Sequence, residues 1–83
     1  MTLLKLRKGE VEIVEEKIAE TAAANGKAIK DIQWPEGCTL AAVIRKGEVI
    51  TPRGDTVLHA YDEVLAVVRT AQREALAALL GRS

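Results

Sequence analysis

Phenylalanine is absent from this sequence, and Trp34 and Tyr61 are its only aromatic residues, so any core must be assembled from Val, Ile, Leu and Ala. Eighty-three residues hold one such core and no second domain. A domain this small buries a modest share of its unfolded surface, which makes self-association an expected supplement. Charge of one sign is also missing: twelve basic residues balance twelve acidic ones, interspersed along the chain, and nucleic-acid binding loses its main electrostatic support. One cysteine, Cys38, excludes an internal disulfide. With no signal-like apolar stretch at the start, the expected compartment is the reducing cytosol. The longest apolar runs, residues 64–68 and 75–80, fall far short of the roughly 20 residues of a spanning helix, so direct membrane insertion is not expected. No Gly-x-Gly-x-x-Gly, metal-ligand cluster or Ser-His-Asp set stands in the row, which leaves no cofactor in this chain, no home for NAD or ATP and no residue set to defend an enzyme.

What is present reads as strand, short helix, hairpin, strand and helix. Residues 1–9 read as an entering segment with a turn at Arg7-Lys8-Gly9, and residues 10–83 as the domain proper. Residues 10–24 support two readings. Val11, Val14, Ile18 and Ala22 fall at helical spacing, with Asn25-Gly26 as a C-terminal cap, while Val11 and Ile13 alternate like a strand. Residues 27–32 suffice for about one and a half helical turns before Trp34-Pro35 ends them. Residues 39–45 and 48–51 flank Lys46-Gly47, the strongest hairpin signal in the chain. A two-residue loop sets Arg45 opposite Glu48 and Ile44 opposite Val49; a three-residue loop with a bulge sets Ile44 opposite Glu48. The first keeps charge with charge and is preferred, although Lys46 suits a positive φ poorly. Residues 63–69 are apolar on both faces, which predicts a central strand covered on each side. Thr70 is placed to cap a final helix over residues 71–80, with Leu76, Leu79 and Leu80 as its apolar stripe and Gly81 as its end.

The chemistry-bearing side chains favour plain structural roles. His59 has no neighbouring partners for base or metal chemistry, and Cys38 has no activating cluster. Arg53-Gly54-Asp55 matches a cell-adhesion tripeptide but sits in a turn context without an extracellular framework. Arg45, Lys46 and Arg53 offer a hairpin tip and following turn able to hold an anion, against the simpler reading of a solvated basic rim.

The order Gly26-Lys27, Pro35-Glu36-Gly37, Val43-Ile44-Arg45-Lys46-Gly47, Pro52-Arg53-Gly54-Asp55-Thr56-Val57-Leu58 and Asp62 resembles the RCK C-terminal, or TrkA C-terminal, domain family. Most of its elements are turn residues, Gly37, Gly47 and Gly54 among them, with Asp55 and Asp62 able to bond backbone amides. The resemblance implies an α+β fold with a mixed or antiparallel sheet of about four strands, a strand at about residues 11–18 and a turn near Thr21. It also implies a cytoplasmic homodimer that regulates a Trk- or Ktr-type potassium transport system. The expected partners are an RCK N-terminal nucleotide-binding domain and a potassium-translocating membrane subunit. The candidate ligand-binding residues are Ile32, Leu40, Arg45, Pro52 and Arg53, for an unidentified small anionic ligand. Cyclic di-AMP, the ligand of one subgroup, is not expected, because Gln33-Trp34-Pro35 and Thr39-Leu40-Ala41 stand where that subgroup carries its arginine and asparagine. The alternative is a purely structural dimerisation domain of an antiporter or permease regulator.

Overall fold

The computed structural model describes residues 1–81. Strands β1 (Thr2–Leu6), β2 (Val11–Lys17), β3 (Cys38–Arg45), β4 (Glu48–Ile50) and β5 (Glu63–Arg69) form one antiparallel sheet in the order β1-β2-β5-β3-β4. Helix α1 (Arg73–Leu80) packs on one face. The α+β class stands, with five strands in place of about four. The extra strand is β1, which runs antiparallel to β2 from Thr2 opposite Val14 to Leu6 opposite Val11. The turn between them holds Arg7, Lys8 and Gly9 at φ of 52°, 55° and 88°.

Residues 11–17 are a strand, and the helical alternative is overturned. Glu and Ala content favours a helix locally, but β2 bonds to β1 on one side and to β5 on the other, from Val11 opposite Arg69 to Lys17 opposite Glu63. Two completed ladders outweigh a propensity of tenths of a kcal/mol per residue. Val14 and Ile18, four apart, share a face in extended chain as they would on a helix, and both enter the core, Ile18 just past the strand end donating its N–H to the Asp62 carbonyl.

The hairpin takes the register that pairs like with like: Val43 with Ile50, Ile44 with Val49, Arg45 with Glu48. Its two loop residues, Lys46 at φ 50° and Gly47 at φ 81°, form the left-handed pair of a type I′ turn, whose twist matches that of the strands. Glycine adopts this conformation freely and lysine does not. Lys46→Asn should therefore stabilise the domain by about 0.5–1 kcal/mol, read as a rise in the denaturant midpoint without change in slope.

The segment expected as one and a half helical turns is a single 3-10 turn, Ile29–Asp31. The strip before it is fixed by the Pro52–Leu58 motif. The Gly26 N–H donates to the Leu58 carbonyl, the Leu58 N–H to the Lys27 carbonyl, and the Ile29 N–H to the Thr56 carbonyl. Gly37 has φ +76°, and a Cβ there would fall 2.6 Å from Arg69 Cδ. Gly54 does not need its freedom. Its carbonyl accepts from the Lys30 N–H, and an added Cβ would find ordinary contact. Thr70 does not cap α1 with its side chain. Its hydroxyl donates to the Gly9 carbonyl, its N–H donates to the Glu10 carbonyl, and a 3-10 turn, Thr70–Gln72, leads into the helix.

The core lies on the helix side of the sheet. Val14, Val43, Val64, Ala66 and Val68 meet Leu76 and Leu80 of α1, with Ile18, Ala22, Ala24, Ile32 and Leu58 from the connecting loops. Strand β5 is central in the sheet, but the prediction that it is covered on both sides fails. Val64, Ala66 and Val68 are fully buried, whereas Glu63, Leu65 and Val67, facing the other way, remain half-exposed and Arg69 exposed. Directly opposed residues share a face, so this open face also carries Ile13 and Val11 of β2, Ile44 of β3, Val49 of β4, and Leu4 and Leu6 of β1.

Candidate functional site

The loop of residues 59–62 turns back toward the hairpin and is anchored by Asp62. This carboxylate is nearly inaccessible, at 3% exposure, and every bond given to it is charge-assisted or closes a turn. Arg45 Nε and Nη2 donate to its two oxygens at 2.9 and 2.8 Å, and the His59 N–H donates at 2.9 Å. Burial works to raise the Asp62 pKa. The two-pronged guanidinium, the His59 amide and the nearby charges outweigh it and hold the carboxyl below its usual range. The bond donated to Asp62 in turn lifts the Arg45 pKa, so the guanidinium stays charged. Arg45 Nη2 also donates to the Val57 carbonyl at 2.9 Å. One arginine thereby joins β3, the motif loop and the start of β5.

Above this pair lies a cavity of about 260 Å³ lined by Arg45, Lys46, His59, Ala60, Tyr61 and Asp62. Its free cation is Lys46, because Arg45 is matched to Asp62. Tyr61 is 62% exposed and holds φ at +73°, a conformation costly for a bulky residue. The Glu20 carboxylate near its phenol pushes the Tyr61 pKa up, with burial adding to it. The backbone here is held from outside: the Ala60 N–H donates to Asn25 Oδ1 at 2.9 Å, while Asn25 Nδ2 donates to the Glu20 carbonyl.

The five sequence-chosen ligand residues occupy separate places. Arg45 lines the cavity just described. Ile32 is 8% exposed and borders a second, open hollow of about 340 Å³ with Lys30, Asp31 and Gln33. Leu40 points to the core face of β3 and packs against the core. Pro52 is half-buried in the loop after β4, and Arg53 is exposed there, its N–H donating to the Thr56 hydroxyl. Arg45 and Lys46 meet in one cavity, and neither described hollow includes Arg53. Sequence reasoning did not single out Tyr61 or the Arg45–Asp62 pair as a unit, nor Glu12. Glu12 is 1% exposed on the core face of β2. The Thr2 hydroxyl donates to it at 2.6 Å and, against the opposing pull of burial, holds its pKa down with help from Thr70, Arg73 and Lys5.

Cys38 is half-buried against the core, and burial raises its thiol pKa, the reverse of what an activated thiol needs. Among the described residues no group of three or more His, Cys, Asp or Glu could hold a metal ion, and no helix is long and apolar enough to cross a membrane.

Comparison with known proteins agrees with this geometry. The TrkA-C domain family model matches residues 13–81. A Trk system potassium uptake protein TrkA homolog of Archaeoglobus fulgidus is 41% identical over 88% of this chain and 17% of its own length. The Trk system potassium uptake protein TrkA of Mycobacterium tuberculosis is 32% identical over 94% of this chain and 36% of its own length. The chain thus spans only about a sixth to a third of these relatives. A solved structure described as an RCK domain with cda superposes with a TM-score of 0.74 at 19% identity, covering 82% of this chain and 96% of that one. The motif order, the five-stranded sheet with its C-terminal helix and the family match coincide, and the chain belongs to the TrkA-C domain family.

Proposed function

We propose that this chain is the regulatory domain of a Trk-type potassium uptake system, acting in the cytoplasm as a homodimer and sensing a small anionic ligand. The observation that carries the reading is the family match over residues 13–81, supported by relatives named for potassium uptake. The domain would work through its partners, an RCK N-terminal nucleotide-binding domain and a potassium-translocating membrane subunit. Ligand bound more tightly in one arrangement of two subunits than in the other shifts the balance between them. Lys46 supplies the charge for an anion, with the His59 ring beside it, over a floor already neutralised by Arg45 and Asp62.

A second reading, a structural dimerisation domain without a ligand, is favoured by the cavity's size. About 260 Å³ lies just below the roughly 300–1,000 Å³ of established ligand pockets. Thermal-shift measurements with inorganic phosphate, nucleoside monophosphates and cyclic dinucleotides separate the two. At about a hundredfold excess over the dissociation constant, one ligand should add about 2.7 kcal/mol, on the order of 10 °C, and Lys46→Glu should remove the shift. A flat response across the panel leaves the structural reading.

A further inference from the structure

The turn between β1 and β2 combines an unfavourable backbone with unpartnered charge. Arg7, Lys8 and Gly9 hold three successive left-handed conformations, and only the glycine adopts one freely. Glycine or asparagine at positions 7 and 8 would satisfy the same backbone with less strain. The turn is fixed from a second side, since the Thr70 hydroxyl donates to the Gly9 carbonyl and the Thr70 N–H to the Glu10 carbonyl. Among the described residues neither Arg7 nor Lys8 makes an ion pair, and the Lys8 and Gly9 N–H groups donate to no backbone carbonyl. A hollow of about 370 Å³ lined by Arg7, Lys8 and Glu10 opens beside the turn, and a Cβ added at Gly9 would meet nothing within 4 Å.

We propose that this turn binds a phosphate group, carried by a small molecule or by a lipid headgroup. Three kinds of donor stand together on it. Arg7 offers a planar fork for two oxygens, Lys8 a point charge, and the successive turn amides a concavity of partial positive charge. A tetrahedral anion with three free oxygens can accept from all three, where a carboxylate has only two oxygens to offer. The hollow's volume of about 370 Å³ falls within the roughly 300–1,000 Å³ of ligand pockets. Its third lining residue, Glu10, repels an anion, so two cations act against one carboxylate and the affinity is moderate. Strained non-glycine residues persist where the strain serves a site, and a turn already held in shape loses little entropy when it binds. The location is separate from the Lys46 cavity. This turn lies beyond the row of Val11 and Arg69, and the Lys46 hairpin beyond the row of Ile44 and Glu63, at the opposite end of the sheet. Residues 7–10 also precede the segment 13–81 matched by the family, so the family match does not account for them.

Nitrogen-15 NMR titration of the 83-residue chain with inorganic phosphate and with pyrophosphate tests this, at an ionic strength held constant with chloride. Flotation on vesicles of phosphatidylcholine, alone or with about a third phosphatidylglycerol, is the second arm. The Lys8, Gly9 and Glu10 amide signals should shift and saturate, with pyrophosphate binding more tightly than phosphate. Arg7→Gly combined with Lys8→Gly should raise the melting temperature, because it relieves the turn, and should weaken binding at least about tenfold. Glu10→Gln should tighten binding, and Lys27→Ala, at an exposed position elsewhere, should leave it unchanged. Saturation by free phosphate assigns a small molecule as the carrier. Capture by the anionic vesicles alone, lost in the double variant, assigns the lipid headgroup, and either result supports the site. Shifts that chloride reproduces, or a double variant that binds phosphate and vesicles like the wild type, overturn it. So does a titration that shows no saturation up to about 20 mM phosphate together with no capture by anionic vesicles.

Discussion

Asp62→Ala should lower the stability of this domain by about 3 kcal/mol at neutral pH, a loss of about 15 °C in melting temperature for a domain of this size. The substitution removes three hydrogen bonds at once, two from Arg45 and one from the His59 amide. It also leaves the guanidinium without its carboxylate. Arg45 is about one-third exposed, so water repays part of the loss and the effect stays at the lower end of what breaking a buried pair costs. The penalty should depend on pH in a definite direction. The folded pKa of Asp62 lies below its unfolded value, so in mild acid the unfolded chain binds the proton first and protonation pulls the equilibrium toward unfolding. The stabilisation is complete above the unfolded value, about 3.9, and is lost as pH falls through the folded one. Glu12 adds to the same trend. Denaturant melts of wild type and Asp62→Ala should therefore differ most near neutrality and converge in strong acid. A gap that stays constant with pH would contradict the ion-pair account.

Leu58→Ala should cost a similar amount, about 3 kcal/mol, by a different route. Leu58 is fully buried among the loop and sheet residues of the core. Its backbone is pinned on both sides, by the Gly26 N–H and the Lys27 carbonyl, so the chain cannot collapse into the space the side chain leaves. The core contains no phenylalanine to spread into the gap. Leu4→Ala is the control, because at 52% exposure on the open face it should cost the folded monomer less than about 1 kcal/mol. Equal losses from the two changes would contradict the division of the sheet into a core face and an open face.

That division explains what was legible in the sequence. The hairpin register could be read because its turn and its cross-strand pairs pointed to one alignment: only the two-residue loop sets Arg45 against Glu48 and Ile44 against Val49. Asp62 could be read as a corner residue, since its bond to the His59 amide is local. Its pairing with Arg45, seventeen positions away, depends on β3 and β5 lying side by side and leaves no local trace. β2 carried two readings because Glu12 occupies a core-face position, which breaks the apolar alternation that marks a strand. β1 was hidden although its turn at Arg7-Lys8-Gly9 was read, because Leu3 and Leu4 stand side by side in a strand of five residues and blur the alternation that marks a strand. In β5 the pattern was read correctly as apolar on both faces and incorrectly as covered on both. Apolar side chains on a strand's face do not by themselves say what covers that face. The candidate ligand cavity was legible only at Arg45 and Lys46, because Tyr61 joins it through an unfavourable backbone conformation that composition does not announce.

The regulatory assignment is tested most directly by replacing the matching segment of the Archaeoglobus fulgidus TrkA homolog, 41% identical to this chain, with the present sequence and measuring potassium uptake in cells that depend on that homolog. Uptake should be restored to the level of the intact protein, above that of a version lacking the segment. A folded, stably expressed replacement that leaves uptake at the truncated level would contradict the account.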